Sequence, residues 1–370
     1  MAKLLDGLAT RHSAWGDWYE NSKLAVVALG SLAVLVGAAL LQVSFGAFPL
    51  TLGEAWHTVF DTEVLLSPDV WRAFLLGDDI PGWLSRRQLI VWNIRLPRVL
   101  VGVLVGANLA VSGAIFQIIT RNELASPYIL GVSDGAGLVV LLTLTMFSGL
   151  MPVMPVLAAL GGGAAFLLVY AIAWKNGTSP VRLVLAGVVV GTVFSSVQRA
   201  LFFFIDNLGV VMSAQTWLSG SLLGTDWAQV RLALPFTLLA MVLAFVVTRE
   251  LDVLLLGEET AESLGMPVET VRFAVAGIAI LSTAAAIAVA GLVGFVGLIV
   301  PHMVRNIVGS DSRRLLVGCL FLGPALLVGA DVGARLALSP VQLPVGIITG
   351  LVGGPYFLYL MRKKENLGAV

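Results

Sequence analysis

An all-α protein threaded about ten times through a lipid bilayer is what this sequence predicts, and two observations predict it. Ten stretches are apolar and long enough to cross a membrane, with short, mostly polar breaks between them. Composition agrees: 58% of residues are hydrophobic and only 12% charged, with a mean hydropathy of +0.96. A span needs about 20 mostly apolar residues to bridge roughly 30 Å of hydrocarbon. Lipid cannot satisfy backbone polar groups, so each span is expected to be helical.

In chain order the runs are Leu24–Val43, Val99–Ile119, Ile129–Leu150, Val153–Ala173 and Val181–Phe204. They continue with Val230–Val247, Val271–Leu292, Phe295–Val308, Leu315–Leu336 and Val341–Met361. The eighth is short and leans on neighbouring protein, which leaves nine as the alternative count. The first run exceeds a typical signal core and no small-x-small cleavage site follows it, so it reads as a retained helix.

The spans form one membrane domain, 24–361, preceded by an N-terminal segment, 1–23, and followed by a tail, 362–370. Lys and Arg near span ends set the orientation. With Met1 inside, the cytoplasmic breaks hold Arg121, Lys175 and Arg182, Arg249, Arg305, Arg313 and Arg314, and the tail adds Arg362, Lys363 and Lys364. The outer breaks Gly149–Met151 and Ala290–Gly294 carry no charge. Segment 44–98 is the exception, but its arginines are interleaved with acids and long outer segments obey the rule poorly. Both termini are therefore expected in the cytoplasm.

Within that outer segment, Thr51-Leu-Gly-Glu54 has the spacing of a capping box. It heralds either a short amphipathic helix on the outer face or a plain surface loop. Inside the spans, Gly102-x-x-x-Gly106, Gly187-x-x-x-Gly191 and Gly161-Gly-Gly163 permit close helix approach. Gly291, Gly294 and Gly297 interrupt a long apolar stretch, as does Gly353-Gly-Pro355. Broken helices beside a pathway are common in transporters.

Formal net charge is zero, with Lys+Arg and Asp+Glu at 22 each, so nothing points to a nucleic-acid partner; lipid is the expected surrounding. The single cysteine, Cys319, cannot form an intrachain disulfide and reads as a packed thiol. Loop 254–267 is the most distinctive. Gly257 can open a helix, Glu258 and Glu259 sit in its first turn, and Gly265 can close it before Pro267. A turn and a half would place Ala261 and Leu264 together, with Glu258 and Glu262 on the adjoining face. Such a helix is shaped for a groove in another protein; the alternative is a connector that turns the chain.

Several motifs then fall in order. Arg95-Leu-Pro-Arg98 begins a span that Ser112-Gly-Ala-Ile-Phe-Gln117 ends, and Arg121-Asn-Glu-Leu-Ala-Ser-Pro127 and Leu130-Gly-Val-Ser-Asp-Gly-Ala-Gly137 follow. Trp217-Leu-Ser-Gly-Ser221, Leu256-Gly-Glu-Glu-Thr-Ala261, Gly294-Phe-Val-Gly-Leu-Ile-Val-Pro-His302 and Leu343-Pro-Val-Gly346 complete the set. Together they resemble the FecCD-type permease subunits of bacterial ABC importers, which take up iron–siderophore chelates, haem or vitamin B12. The resemblance runs from about Arg95 to Met361.

That resemblance implies a type II importer permease architecture in the cytoplasmic membrane. It makes Leu256–Gly265 the coupling helix docked on an ATPase subunit, with Gly257, Glu258, Glu259, Ala261, Glu262, Leu264 and Gly265 as contacts. The sequence holds no Gly-x-x-x-x-Gly-Lys-Ser/Thr loop, so ATP is expected on that separate subunit and no cofactor or metal on this chain. Two permeases, either two copies or this chain with a sister permease, work with two ATPases. An extracytoplasmic binding protein delivers the cargo. By the same resemblance, Arg95, Arg98 and Arg335 pair with glutamates of that binding protein; without it they read as span-end anchors. The fifth and tenth spans line the path, with Thr192, Ser195, Ser196 and Arg199 as lining candidates. Stretch 61–94 is longer than the family pattern and places extra acids on the docking face.

Competing classes fit less well. Secondary transporters keep ionisable groups midway through spans, where this chain has almost none. An intramembrane enzyme needs a catalytic motif, and His12, His57 and His302 are scattered. A free-metal carrier needs more ligands than one Cys and three His. His302 is read as a packing residue. Siderophore is the expected cargo, with haem or cobalamin as alternatives.

Overall fold

The structure, a computed structural model, describes residues 2–46, 48, 50–175, 177–338 and 341–367. Met1 and residues 368–370 of the expected tail lie outside the described residues. No extended strand occurs among those described.

A long first helix, α1 (Ala2–Ser44), is followed by four short ones: α2 (Leu52–Val59), α3 (Thr62–Leu65), α4 (Pro68–Leu76) and α5 (Arg86–Leu89). A π-helical turn, Ile90–Arg95, then leads into α6 (Leu96–Thr120). Next come α7 (Val132–Thr145), α8 (Met154–Ala173), α9 (Pro180–Phe202), α10 (Leu208–Leu218) and α11 (Trp227–Val246). Two short helices, α12 (Thr248–Leu255) and α13 (Glu258–Ser263), precede α14 (Val268–Ala290), α15 (Val296–Val308), α16 (Ser312–Leu336) and α17 (Val345–Leu367).

Each of the ten apolar runs carries a helix, but they are not ten equal spans. Among the described residues, seven stretches are long and apolar enough to cross by themselves, and α7 and α15 are shorter. The run at Ile129–Leu150 is trimmed at its start by a 3-10 turn, Pro127–Leu130, and by Gly131 at φ 78°. Helix α10 was not anticipated. No helix boundary separates segment 1–23 from the first span, because α1 is continuous. Likewise α17 runs on past residue 361 to Leu367. It is also unbroken at Gly353-Gly-Pro355, where Gly353 instead makes room for a ring: a Cβ there would lie 2.7 Å from Phe295.

Helix α6 is the axis of the bundle. Its most apolar window is 89% buried, walled by α11, α14, α15 and α16. Between helices in lipid there is no hydrophobic drive, so close van der Waals packing and interhelical hydrogen bonds must hold them. The sequence supplies both. A Cβ on Gly106 would sit 2.5 Å from the Gly323 carbonyl oxygen of α16, so only glycine permits this approach. Deeper in the core the Asn108 amide donates to Thr237 Oγ1 at 2.6 Å, and Ser282 Oγ donates to Asn108 Oδ1 at 2.8 Å. That network joins α6, α11 and α14. Helices α7, α8 and α9 pack on one another, and α8 rests on α14.

The glycine-interrupted stretch is a true break. After α14 the chain turns at Gly291 (φ 68°), and Phe295, a non-glycine residue, holds φ 67° before α15 starts. Backbone groups freed by the break find protein partners: Leu292 N–H donates to Trp217 O at 3.2 Å, and Val293 O accepts from Tyr128 Oη at 2.7 Å. Gly297 is not part of the break; it lies inside α15 against α6.

Residues 50–98 fold into a cap. The Thr51–Glu54 capping box is formed and starts α2, an amphipathic helix with Ala55 buried and Leu52, Trp56 and Phe60 outward. Phe74 stacks on Trp227 at 4.6 Å between centroids, and Trp227 Nε1 donates to the Trp92 carbonyl at 2.8 Å. The cap is thereby riveted to the start of α11.

Candidate functional site

Chemistry-bearing residues gather at the two ends of the bundle. At one end lies the predicted short helix. Gly257, at φ 117° and ψ 153°, sits where a side chain is strained, and its carbonyl accepts from Ala261 N–H at 2.8 Å. Gly265, at φ 83°, closes the turn as Met266 N–H reaches back to Ala261 O at 3.0 Å. Ala261 is fully buried as the floor of α13. Leu264 ends the same turn, its N–H donating to Thr260 O at 3.0 Å, but its side chain is 65% exposed. Glu259 and Glu262 also face outward, flanked by exposed Leu256. They leave an acid-and-leucine surface that nothing among the described residues covers.

Glu258 behaves differently from the other two acids. It accepts from Arg272 Nη2 at 2.6 Å, and the Arg272 side chain is only 2% exposed. Arg272 Nη1 in turn reaches Glu269 Oε1 at 2.8 Å, the Thr178 carbonyl at 2.7 Å and Thr178 Oγ1 at 3.0 Å. Thr178 returns the bond: its N–H and hydroxyl donate to the two Glu269 oxygens at 3.0 and 2.8 Å. Tyr170 Oη adds a longer one at 3.4 Å. One planar guanidinium thus ties α13, α14 and the lead-in to α9. Nearby, Arg121 Nη2 donates to Leu254 O at 3.3 Å, and Asp252 accepts from the first N–H of α16 at 2.9 Å.

At the opposite end the three predicted arginines come together, but two are turned inward. Arg98 grips Asp331 with both arms, Nε to Oδ2 and Nη2 to Oδ1, each at 2.8 Å. Its third nitrogen donates to Gln342 Oε1 at 2.9 Å. Arg95 donates to the carbonyls of Val43, Ser44 and Phe48, which capture the end of α1. Arg335 Nη1 donates to Gln42 O at 2.8 Å, while the Gln42 amide donates to Asp331. Arg95 and Arg98 are 3% and 6% exposed, so neither offers a free fork to an outside carboxylate; Arg335 remains half-buried. For Arg98 the buried Asp331 carboxylate explains this, because unpaired either charge would be far costlier; Arg95 is met by backbone carbonyls. The cap carries exposed cations, where Arg72 meets Asp78 at 3.3 Å and Arg87 meets Glu54 at 3.0 Å. Thr51 hydrogen bonds, then Arg87, hold the Glu54 carboxyl below its ordinary value.

The lining candidates lie along α9, where Thr192, Ser196 and Arg199 are exposed and Ser195 is half-buried on the flank. Each hydroxyl bonds its own helix: Thr192 to Val188 O at 2.7 Å, Ser195 to Gly191 O at 2.6 Å and Ser196 to Thr192 O at 2.7 Å. The helix thus shows a smooth face with few free donors. Exposed Leu185, Val188 and Val189 extend it, and Leu351 and Val352 expose a similar face on α17.

Asp331, Arg272, Glu269 and Thr178 were not singled out from the sequence. An ionisable residue at or inside an apolar run was the available signal for Asp331 and Arg272.

A bundle of this kind, with a broken helix, a smooth exposed helix face and a short exposed helix at one end, defines a multi-pass transport subunit that works with other subunits. A sequence model of the FecCD transport family matches residues 33–363. The chain belongs to that family, and it is a membrane permease subunit of an ABC importer. It is 41% identical to the Fe(3+)-citrate import permease YfmD of Bacillus subtilis, over 76% of this chain and 84% of that one. The cobalamin import permease BtuC of Halobacterium salinarum is 39% identical over 92% of this chain and 89% of its own. The Fe(3+) dicitrate permease FecD of Escherichia coli is 36% identical over 93% of this chain and 100% of its own. Among solved structures, a metal-chelate-type ABC transporter in an inward-facing conformation superposes with a TM-score of 0.77 at 27% identity. The match covers 91% of this chain and 99% of that one.

Proposed function

We propose that this chain forms half of a pore in the cytoplasmic membrane that carries a ferric siderophore or related chelate inward. Its motive force comes from ATPase subunits that bind nucleotide elsewhere and dock on α13. The observation that carries this reading is the outward surface of α13, where Glu259, Glu262, Leu256 and Leu264 are exposed. The α13 end is then cytoplasmic and the Arg98–Asp331 end faces out. There a substrate-binding protein docks on Arg335 and on the cap, while Arg95 and Arg98 hold the platform beneath it. The exposed faces of α9 and α17 supply the seam with a second permease, a twin or a sister, and the path runs along that seam.

Iron chelate is preferred as cargo because an iron-citrate permease has the higher identity, 41% against 39% for the cobalamin permease, and a second iron permease spans 93% of this chain. Cobalamin is the second reading, favoured by the 39% identity across 92% of the chain to a cobalamin permease. Proteoliposomes that hold the permease, its ATPase and its binding protein separate them. Accumulation of a labelled ferric siderophore on ATP addition is expected; uptake of cobalamin or haem alone would replace that cargo, and uptake driven by a proton gradient without ATP would overturn the reading.

A further inference from the structure

We propose that Arg272 is the positioning residue that transmits displacement of α13 to α9, the helix that faces the path. This rests on the reading of α13 as the ATPase-docking helix. Helix α13 has six residues and no side-chain N-cap, far too short to hold its pose alone. Its anchors are buried Ala261, an apolar contact that permits sliding, and the Glu258–Arg272 bond, which does not. Among the described residues, Arg272 is the side chain that holds α13 and the lead-in to α9 at once. Nη2 takes Glu258 while Nη1 takes the Thr178 carbonyl and hydroxyl, two residues before Pro180 opens α9. Because the guanidinium is flat and its donors sit at fixed angles, a shift at one arm must be felt at the other.

Two details mark the cluster as movable. Arg272 Nε is buried with no hydrogen-bond partner among the described residues, so the present bonding is not the fullest available to this side chain. Glu258 and Glu269 are 37% and 33% exposed, so water can replace a lost bond as the arms rearrange.

The test uses the assembled permease–ATPase complex with its binding protein. Arg272→Lys keeps the charge but cannot hold both arms. It should lower cargo moved per ATP hydrolysed on the order of tenfold, while ATPase association and complex melting stay near the parent's. Spin labels on α13 and on the start of α9 report the link directly: ATP binding should move both in the parent and only α13 in the variant. An unchanged transport-to-hydrolysis ratio, or labels that still move together, overturns the proposal. If Arg272→Lys weakens the complex, Thr178→Val decides, because it removes the hydroxyl that accepts from Arg272 and donates to Glu269 while keeping the shape: a lowered ratio supports the link and an unchanged one overturns it. Failure of the docking reading looks different. Glu259→Lys with Glu262→Lys would then leave ATPase association intact.

Discussion

The two polar clusters use the same chemistry, arginine against carboxylate, to opposite ends. At the Arg98–Asp331 end the side chains are 7% and 1% exposed and join two 25-residue helices, α6 and α16. At the Arg272 end the arginine is just as deeply buried, but its acids are a third open to solvent and one of them rides on a six-residue helix. Burial of both partners makes a clamp; burial of one, with the other on a small element, makes a joint. The lesson is that ion-pair geometry alone does not distinguish scaffold from moving part.

The largest test attacks the clamp. Asp331→Asn leaves Arg98 buried without its counter-charge and should cost about 3–5 kcal/mol, read as a lowered melting temperature of the purified permease. Combined replacement by apolar residues, Arg98→Met with Asp331→Leu, should recover most of that loss. A single Asp331→Asn substitution that melts like the parent would erase the distinction drawn above. Between the two ends, Asn108→Leu removes the α6–α11–α14 network and should cost about 0.6–1.7 kcal/mol, the range for polar contacts between membrane helices. Glu258→Gln, at the open cluster, should cost no more than about 1 kcal/mol in the same assay, because solvent screens the partner.

The smallest effect concerns the cap. Glu54 titrates below its usual value because Thr51 and Arg87 favour the ionised form. Its support for α2 is therefore complete above the ordinary carboxylate value and fades as pH falls through the lowered one. Amide exchange in α2 should quicken only in strongly acid solution, with the clamp-end amides of α6 unaffected.

Much of this molecule was legible in its sequence because lipid imposes a simple code. Ten apolar runs gave ten helices, and Gly257 and Gly265 bracketed α13 because only positive φ fits there. What was hidden depends on pairing across distance. Arg98 meets Asp331 from 233 positions away, and Thr178 meets Arg272 from 94. The resemblance cast Arg95 and Arg98 as docking forks, and nothing local reveals the carbonyls at the end of α1 or the carboxylate in α16. Helix α10 escaped because at 11 residues it is too short for a span, although Asn207 caps its start by accepting from Gly209 N–H. The family and the segment expected to couple were readable from ordered motifs; the internal wiring of that segment was not.

The enclosure of α6 has a consequence for how the protein is made. It is the second long apolar segment to leave the ribosome, yet the four helices that wall it in are all synthesised later. With a mean hydropathy of 2.2 over its most apolar window it can enter the bilayer unaided, and its glycine-rich surface is tolerable to acyl chains. Biogenesis must therefore proceed from the outside of the final architecture inward, with an early lodger waiting for its walls, and truncated nascent chains should leave that segment reachable by lipid-phase crosslinkers until α16 has emerged.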